Sequence, residues 1–168
     1  MFTLTSYQER LSMYLMNVII DFLHLLASVA WIGGIIYTVH ILMPSLASID
    51  PPQRGPLQNA VAKRFTILSW SSVIVLAITG LLKMSWDHFF DFSILYTAVL
   101  NIKMLIFLVM VIIGFYITKV LGPKLASLAP KPAEAPSNDF IEVQKLLPKL
   151  VMTNLMLGVI VLLCVGLL

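Results

Sequence analysis

Four long runs of apolar residues alternate with short polar segments along this chain. The runs cover about residues 18–43, 66–84, 92–120 and 150–168. Each is close to or above the ~20 residues that a helix needs to cross about 30 Å of hydrocarbon. The pattern therefore predicts an all-α fold, an integral membrane bundle of four transmembrane helices.

Helix-breaking residues stand between the apolar runs. Proline removes a backbone donor and glycine loosens the chain, so both favour turns there. We expect them to end the first and third helices and to form polar loops. The breakers are Pro44, Pro51, Pro52, Gly55 and Pro56 after the first run, Gly122 and Pro123 after the third, and the segment "APKPAEAPSND" before the fourth.

The first 16 residues have a different pattern from the apolar runs. The segment "SYQERLSMYLM" mixes charged residues with Tyr7, Leu11, Tyr14 and Leu15. Such a mixture is typical of a short amphipathic helix that lies in the membrane interface. We therefore expect an interfacial helix over residues 1–16 and a single four-helix domain over residues 17–168.

Composition supports the membrane interpretation. Of the 168 residues 60% are hydrophobic and 11% charged, and the mean hydropathy is +0.97. A soluble domain of this size cannot bury so much apolar surface, so the lipid bilayer is the expected partner. The single cysteine, Cys164, excludes an intrachain disulfide. A net charge of +3 is typical of cytoplasmic loops and excludes a nucleic-acid partner.

Basic residues are distributed unequally between the two ends of the predicted helices. Eight of the 11 lysines and arginines fall on one side. Because basic loops stay in the cytoplasm, we expect both termini and the loop "SWDHFFD" to lie outside it. The eight residues are Arg54, Lys63, Arg64, Lys119, Lys124, Lys131, Lys145 and Lys149.

The polar side chains of the first helix share one stripe. Asp21, His24, Ser28, Trp31 and Thr38 recur at helical spacing and are expected to face the bundle. A histidine in a membrane helix is either a ligand or proton carrier, or a neutral ring that is hydrogen-bonded to a neighbour. The acid three residues earlier either orients that ring or is solvated at the interface.

Lys103 is a charged residue inside the third predicted helix. At about 16 Å below the outer end it lies near the midplane, where a lysine costs ~3 kcal/mol or more. It therefore needs a partner. Asp21, a haem propionate or another bound anion would each satisfy it.

Several methionines and one tryptophan have two interpretations each. Met13 and Met16 form an M-x-x-M pair on the outer side, where Met84 is also predicted, and thioethers suit Cu(I). The same residues also serve as ordinary apolar packing. Trp31 is expected to pack in the bundle, or to stack on a flat macrocycle bound beside His24.

Three segments together resemble the copper-resistance protein D (CopD) domain family. They are "LHLLASVAWIGGIIYTVHILMP", "AKRFTILSWSSVIVLAITGLL" and "LYTAVLNIKMLIFLVMV". That family also has a histidine and W-x-G-G on its first helix, an Arg-Phe opening the next, a Thr-Gly near its end and a lysine in the third. Here these match His24, Trp31, Gly33, Gly34, Arg64, Phe65, Thr79, Gly80 and Lys103.

The resemblance to CopD proteins implies a function and a location. It implies movement or delivery of copper at the outer half of the bundle, with His24 as a ligand, and points to a bacterial inner membrane. Met13, Met16 and Met84 are the further candidate copper ligands.

The same order of motifs is also similar to HemJ-type protoporphyrinogen oxidases. That similarity implies a haem b oxidoreductase in which His24 holds the iron, beside Trp31, while Lys103 and Arg64 pair with anionic groups. A second axial ligand would come from His88, from Met84 or from a homodimer. The chain departs from the HemJ pattern after Tyr37, where "TVHILMPSL" stands.

A third hypothesis is structural. The chain would be an accessory subunit of a larger membrane complex, and its polar stripe would only hold helices together. Whether the protein is an enzyme, and whether its cofactor is copper or haem b, stays open at the level of sequence.

Overall fold

The computed structural model describes residues 2–84, 95–130 and 135–166, and these form helices and short connections with no strand among them. The all-α prediction is confirmed. The predicted helix ends at residues 92 and 168 and the loop with His88 lie outside the described residues. The α-helices are α1 Phe2–Tyr37, α2 Met43–Ala47, α3 Pro51–Leu82, α4 Leu95–Tyr116, α5 Gly122–Ser127 and α6 Asn138–Gly166.

Four helical stretches are long and apolar enough to span a membrane, as predicted. They run over Tyr7–Ala47, Gln53–Leu82, Tyr96–Ser127 and Asn138–Gly166. Large apolar side chains cover much of their outer surface, for example Leu25, which is 64% exposed. Such exposure is typical of helices whose solvent is lipid, because lipid tails do not drive apolar side chains inward.

The helices pack as two antiparallel pairs. α3 lies along α1 and α6 lies along α4, while α1 also contacts α6 and α3 hardly touches α4. The core where the pairs meet is formed mainly by α1. Its buried members are Ala27, Trp31, Ile32 and Ile35 on α1, Leu76 on α3, Met110 on α4 and Leu155 on α6.

Two glycines allow these helices to approach closely. A Cβ at Gly34 would collide with the ring of Phe65, so the α1–α3 contact requires a residue without a side chain there. A Cβ at Gly158 of α6 would lie 3.4 Å from side-chain atoms of Ile32 and Met110. Small residues serve helix packing in membranes in this way.

The helix of the N-terminal segment does not end at residue 16. Residues 2–16 continue into the first spanning helix, and α1 runs without a break from Phe2 to Tyr37. No proline or glycine occurs before Gly33, so nothing in the chain interrupts the backbone hydrogen bonds there. That this part of α1 lies in the membrane interface stays a prediction.

The expected helix ends at Pro44 and at Gly122-Pro123 are not found. A π-helical turn, Thr38–Leu42, precedes Pro44, and the chain continues as α2. A second π-helical turn, Ile117–Leu121, precedes Pro123 and leads into α5. The wider turn lets the chain absorb the missing N–H and the bulk of the proline ring without leaving the helical path.

The helices α3 and α6 begin earlier than the apolar pattern indicates. α3 starts at Pro51 and carries Pro56 inside, and α6 starts at Asn138 and carries Pro148. Proline is well suited to a first helical turn, where its missing N–H has no partner to lose. The side chain of Arg54 donates to the carbonyls of Ala47 and Ile49 and closes the end of α2.

Gly34 and Gly33 provide a matched pair of substitutions. Gly34→Ala forces a Cβ against Phe65 and is expected to destabilise the protein by about 1–3 kcal/mol, the usual cost of overpacking. Gly33→Ala meets open space, so its stability should be unchanged or slightly higher. Thermal unfolding in detergent measures both. Equal melting temperatures would contradict the close α1–α3 contact, and Phe65→Leu should rescue Gly34→Ala.

Candidate functional site

His24 lies half-buried on α1, where that helix faces the outer end of α3. Its Nδ1 atom is 2.7 Å from Oγ1 of Thr79, a side chain that is only 4% exposed. The hydroxyl of Thr79 in turn donates to the backbone carbonyl of Val75, at 2.6 Å. The two helices are thus joined by a chain of hydrogen bonds that runs from the imidazole to the backbone of α3.

The distances around Thr79 favour one nitrogen of His24 as the carrier of the proton. A threonine hydroxyl has one proton, and the short 2.6 Å separation from the carbonyl of Val75 favours that carbonyl as its acceptor. With the proton placed there, the Thr79 oxygen accepts and Nδ1 of His24 donates. In a neutral imidazole the proton on Nδ1 leaves a lone pair on Nε2, the arrangement that metal-binding histidines adopt when a neighbour holds the other nitrogen.

Ser28 and Gly80 are described neighbours of His24 besides Thr79. The hydroxyl of Ser28 donates to the backbone carbonyl of His24 at 2.8 Å. Gly80 lies beside the ring, and a Cβ there would be 3.8 Å from Cε1 of His24. In the described part of the chain Nε2 has no hydrogen-bond partner.

Asp21 forms a salt bridge with Lys83, not with Lys103. The two side chains are 57% and 49% exposed, and a pair this accessible contributes little to stability. The carboxylate of Asp21 does balance the positive charge of Lys83 beside the imidazole of His24. Lys83, at the end of α3, is the partner that the sequence alone did not indicate.

Lys103 is half-buried on α4. Its ammonium group interacts electrostatically with Lys83, with Cys164 of α6 and with His24. The interior lysine therefore faces the same end of the bundle as the imidazole. We call His24, Asp21, Lys83 and Lys103 the outer cluster, after the side of the membrane on which the distribution of basic residues predicts it.

The methionines differ in how close they lie to the outer cluster. Met84 is 9% exposed and lies two residues after the end of α3, whose last turns carry Thr79 and Gly80 beside His24. Met13 and Met16 are each 59% exposed. They lie eleven and eight residues before His24, roughly 16 and 12 Å along α1. The structure does not bring this pair to His24.

Trp31 and Arg64 are the remaining candidate cofactor residues. Trp31 is 5% exposed and packs edge-on against Phe107 of α4, with centroids 5.9 Å apart, as its packing interpretation predicts. Arg64 is exposed and lies fifteen residues before Thr79 on α3, which is roughly 22 Å. Arg64 is therefore not part of the outer cluster.

The ligand chemistry of the outer cluster is sparse. No group of three or more histidine, cysteine, aspartate or glutamate side chains gathers within residues 2–84, 95–130 and 135–166. Cys164 is a free, half-buried thiol. The groups near His24 that suit a soft cation are its own Nε2 and the buried thioether of Met84.

Thr79 was not predicted as the partner of His24. The sequence did contain a signal, because a threonine one residue before a glycine in an apolar helix is a common hydrogen-bonding position in membranes. Which side chain the Thr79 hydroxyl contacts depends on the register between α1 and α3, and that register is visible only in the structure.

These features define a class of protein: a four-helix membrane bundle with one oriented histidine among charged side chains at one end. The family model of Copper resistance protein D (CopD) matches residues 59–168, which is 110 of the 168 residues. The chain therefore belongs to the CopD family. No curated protein and no solved structure matches it significantly. The similarity to HemJ-type enzymes is not shown and stays a prediction from short motifs.

The extent of the match separates the outer cluster into two parts. Thr79, Lys83, Met84 and Lys103 lie within the matched residues, whereas His24 lies before them on α1. The family match thus covers the partner of the histidine but not the histidine itself. The link between the two is the 2.7 Å hydrogen bond.

Thr79→Val tests the orientation of His24. Valine keeps the shape but cannot accept from Nδ1, so the preference for the Nε2 lone pair should be lost. The ¹⁵N chemical shifts of the imidazole, assigned with His24→Ala, report the tautomer. The control is Thr153→Val, since that exposed hydroxyl bonds only to Lys149 of its own helix. An unchanged His24 spectrum in Thr79→Val would contradict the proposed direction of the bond.

Proposed function

We propose that the protein handles copper as cargo at the outer end of the bundle, with Nε2 of His24 as the first ligand. The observation that carries this proposal is the bond chain from His24 through Thr79 to Val75, since it leaves Nε2 unprotonated and oriented. Membership of the Copper resistance protein D family supports copper as the metal. Copper homeostasis or transport is the function that follows.

The available donors favour Cu(I) over divalent metals. Neutral imidazole and thioether groups suit Cu(I), which is also stable with few ligands. Divalent ions prefer carboxylates or several imidazoles, and the one acid of the outer cluster is paired with Lys83. We therefore assign Met84 as the second candidate ligand, with Met13 and Met16 too exposed and distant to complete the same site.

Lys103 gives the proposed site a property that suits a carrier. Its positive charge acts on His24 and opposes a bound cation. A site of this kind holds a metal ion less tightly than the same ligands would alone. Weak retention helps the ion to leave, which transport requires.

We further propose that the outer cluster faces away from the cytoplasm of a bacterium, in its inner membrane. The eight basic residues at the other end support this orientation, because positive charge favours the cytoplasmic side. Association as a homodimer or within a larger membrane complex stays a prediction.

The function is tested by Cu(I) titration of the purified protein in detergent without oxygen, in competition with a coloured Cu(I) chelator. His24→Ala should lower the affinity at least tenfold, because it removes the oriented ligand. Met84→Leu keeps the volume and should lower it by a smaller factor. His40→Ala is the matched control, since His40 is exposed at the other end of α1 and bonds to Ile36. Wild-type affinity in His24→Ala would refute the proposal.

The same titration examines the role of Lys103. Lys103→Met should raise the Cu(I) affinity several-fold, since a repulsion on the order of 1 kcal/mol is removed. Lys119→Met, an exposed lysine in the second π turn, should have no effect. Weaker binding in Lys103→Met would instead show that the lysine holds an anion needed for the site.

Orientation is tested by cysteine labelling of intact bacteria in a Cys164→Ser chain. Ser12→Cys on the exposed start of α1 should react with a membrane-impermeant maleimide. Ser127→Cys at the end of α5 should react only after the membrane is opened. The reverse pattern would show that the outer cluster faces the cytoplasm.

A further inference from the structure

A cavity of about 170 Å³ lies in the half of the bundle opposite the outer cluster. Side chains from α1, α3, α4 and α6 line it, and Trp31 stands at the end nearer His24. Trp31 follows His24 by seven residues, roughly 10 Å along α1. The cavity is therefore separate from the proposed copper site.

Two polar atoms in the cavity wall lack partners. Oγ of Ser69 on α3 and Oδ1 of Asn154 on α6 are buried, and neither has a hydrogen-bond partner in the described ranges. Asn154 is only 5% exposed. A buried polar group without a partner is costly, so such atoms usually indicate a bound group that satisfies them.

The backbone around the cavity is also unusual. Thr38 and Leu42 of the first π turn line it, and so do Ile117 and Thr118 of the second. π-helical turns are rare and frequently occur at functional sites. The two π turns within the described ranges thus meet at this cavity.

The lining limits the chemistry of a ligand. Among the described residues no lysine, arginine, aspartate or glutamate contributes to the wall, which favours an uncharged ligand. Trp31, Phe65 and Trp70 present aromatic surfaces. The volume of about 170 Å³ is slightly larger than that of apolar cavities of ~150 Å³ that bind benzene.

The polar side chains of Ser69 and Asn154 favour a hydroxyl group on that ligand. A side-chain amide both donates and accepts, as does a serine hydroxyl, and a hydroxyl group on the ligand can pair with either. A lipid acyl chain offers no polar group, and water alone leaves the aromatic walls unfilled. We propose that this cavity binds a neutral aromatic alcohol, a phenol or hydroquinone ring, whose hydroxyl hydrogen-bonds to the side-chain amide of Asn154.

Aromatic side chains of α3 and α4 meet beside the cavity, which both helices line. Trp70 of the cavity wall packs edge to face against Phe115 of α4, with ring centroids 6.4 Å apart. The wall of the cavity thus includes aromatic surface of the kind on which a ring packs.

Binding is tested by ¹⁹F NMR with the metal-free protein in lipid nanodiscs, with empty nanodiscs as the reference. The probes are 4-fluorophenol and 4-fluorotoluene, which differ only in a hydroxyl and a methyl group of similar size. We expect saturable binding of the phenol, and at least tenfold weaker binding of the toluene, because the latter leaves Asn154 unsatisfied.

Variants identify the site. Asn154→Leu should weaken 4-fluorophenol binding at least tenfold while keeping the volume of the side chain. Met156→Leu is the matched control, since Met156 lies two residues away on α6 and is 55% exposed. Ser69→Ala is a second variant with weaker binding expected, in case Asn154→Leu does not fold.

Three results would overturn the proposal. Equal affinity for the two probes would show a dry or lipid-filled cavity. Wild-type affinity in both variants would show that the phenol binds elsewhere. No binding of either probe would show that the cavity holds only water. None of these results bears on copper binding by His24, which is measured separately.

The source of the ring is distinguished by competition. If the ligand is dissolved in the membrane, 4-decylphenol should displace 4-fluorophenol at lower total concentration than phenol does. If it comes from water, the two competitors should be equivalent per ring. Either order supports the aromatic alcohol, and failure of both to compete would refute it.

Discussion

The single proton of the Thr79 hydroxyl determines the chemistry of the outer cluster. Lipid provides no hydrogen-bond partners, so a threonine in a spanning helix satisfies itself on the carbonyl of its own helix, here that of Val75. With its proton on that carbonyl, the Thr79 oxygen accepts from Nδ1 of His24. The backbone of a neighbouring helix therefore favours one tautomer of the histidine. This dependence requires the close α1–α3 contact at Gly34.

The bundle separates two environments along its axis. One half carries the charged side chains Asp21, Lys83 and Lys103 around one imidazole. The opposite half has a cavity whose described lining is uncharged, with polar atoms from amide and hydroxyl groups. The buried, apolar face of Trp31 lies between them. The two proposed sites therefore share none of the groups on which each depends.

The sequence predicted the features that lipid imposes directly. Four spans follow from length and hydropathy, and the position of His24 toward the bundle follows from the helical repeat of its polar stripe. Membership of the Copper resistance protein D family was also indicated by short motifs and is shown over residues 59–168. None of these inferences needs knowledge of how two helices are aligned.

Features that depend on alignment or on backbone adjustment could not be predicted. Whether Asp21 meets Lys83 or Lys103 depends on the register of α1 against its neighbours, which no periodicity within one helix contains. The prolines suggested helix ends, but a π turn before each lets the helix continue. Oδ1 of Asn154 has no hydrogen-bond partner among the described residues, and this is visible only when the four helices are packed around the cavity.

The two π turns also reveal an internal symmetry of the chain. Each begins within a Gly-x-x-x-Thr segment whose threonine donates to the glycine carbonyl, in Gly34–Thr38 and Gly114–Thr118. Each is followed by a short proline-bearing helix and then by a long returning helix. Both halves of the bundle are therefore built alike, as helical hairpins that run in the same direction.

Aligning the two halves of the sequence on their prolines pairs the two interior residues of the outer cluster. His24 lies twenty residues before Pro44, and Lys103 lies twenty residues before Pro123. The two halves thus repeat one helical pattern, and at the equivalent position one half carries an imidazole and the other an ammonium group. A repeated backbone pattern therefore presents two different chemical groups at the same end of the bundle.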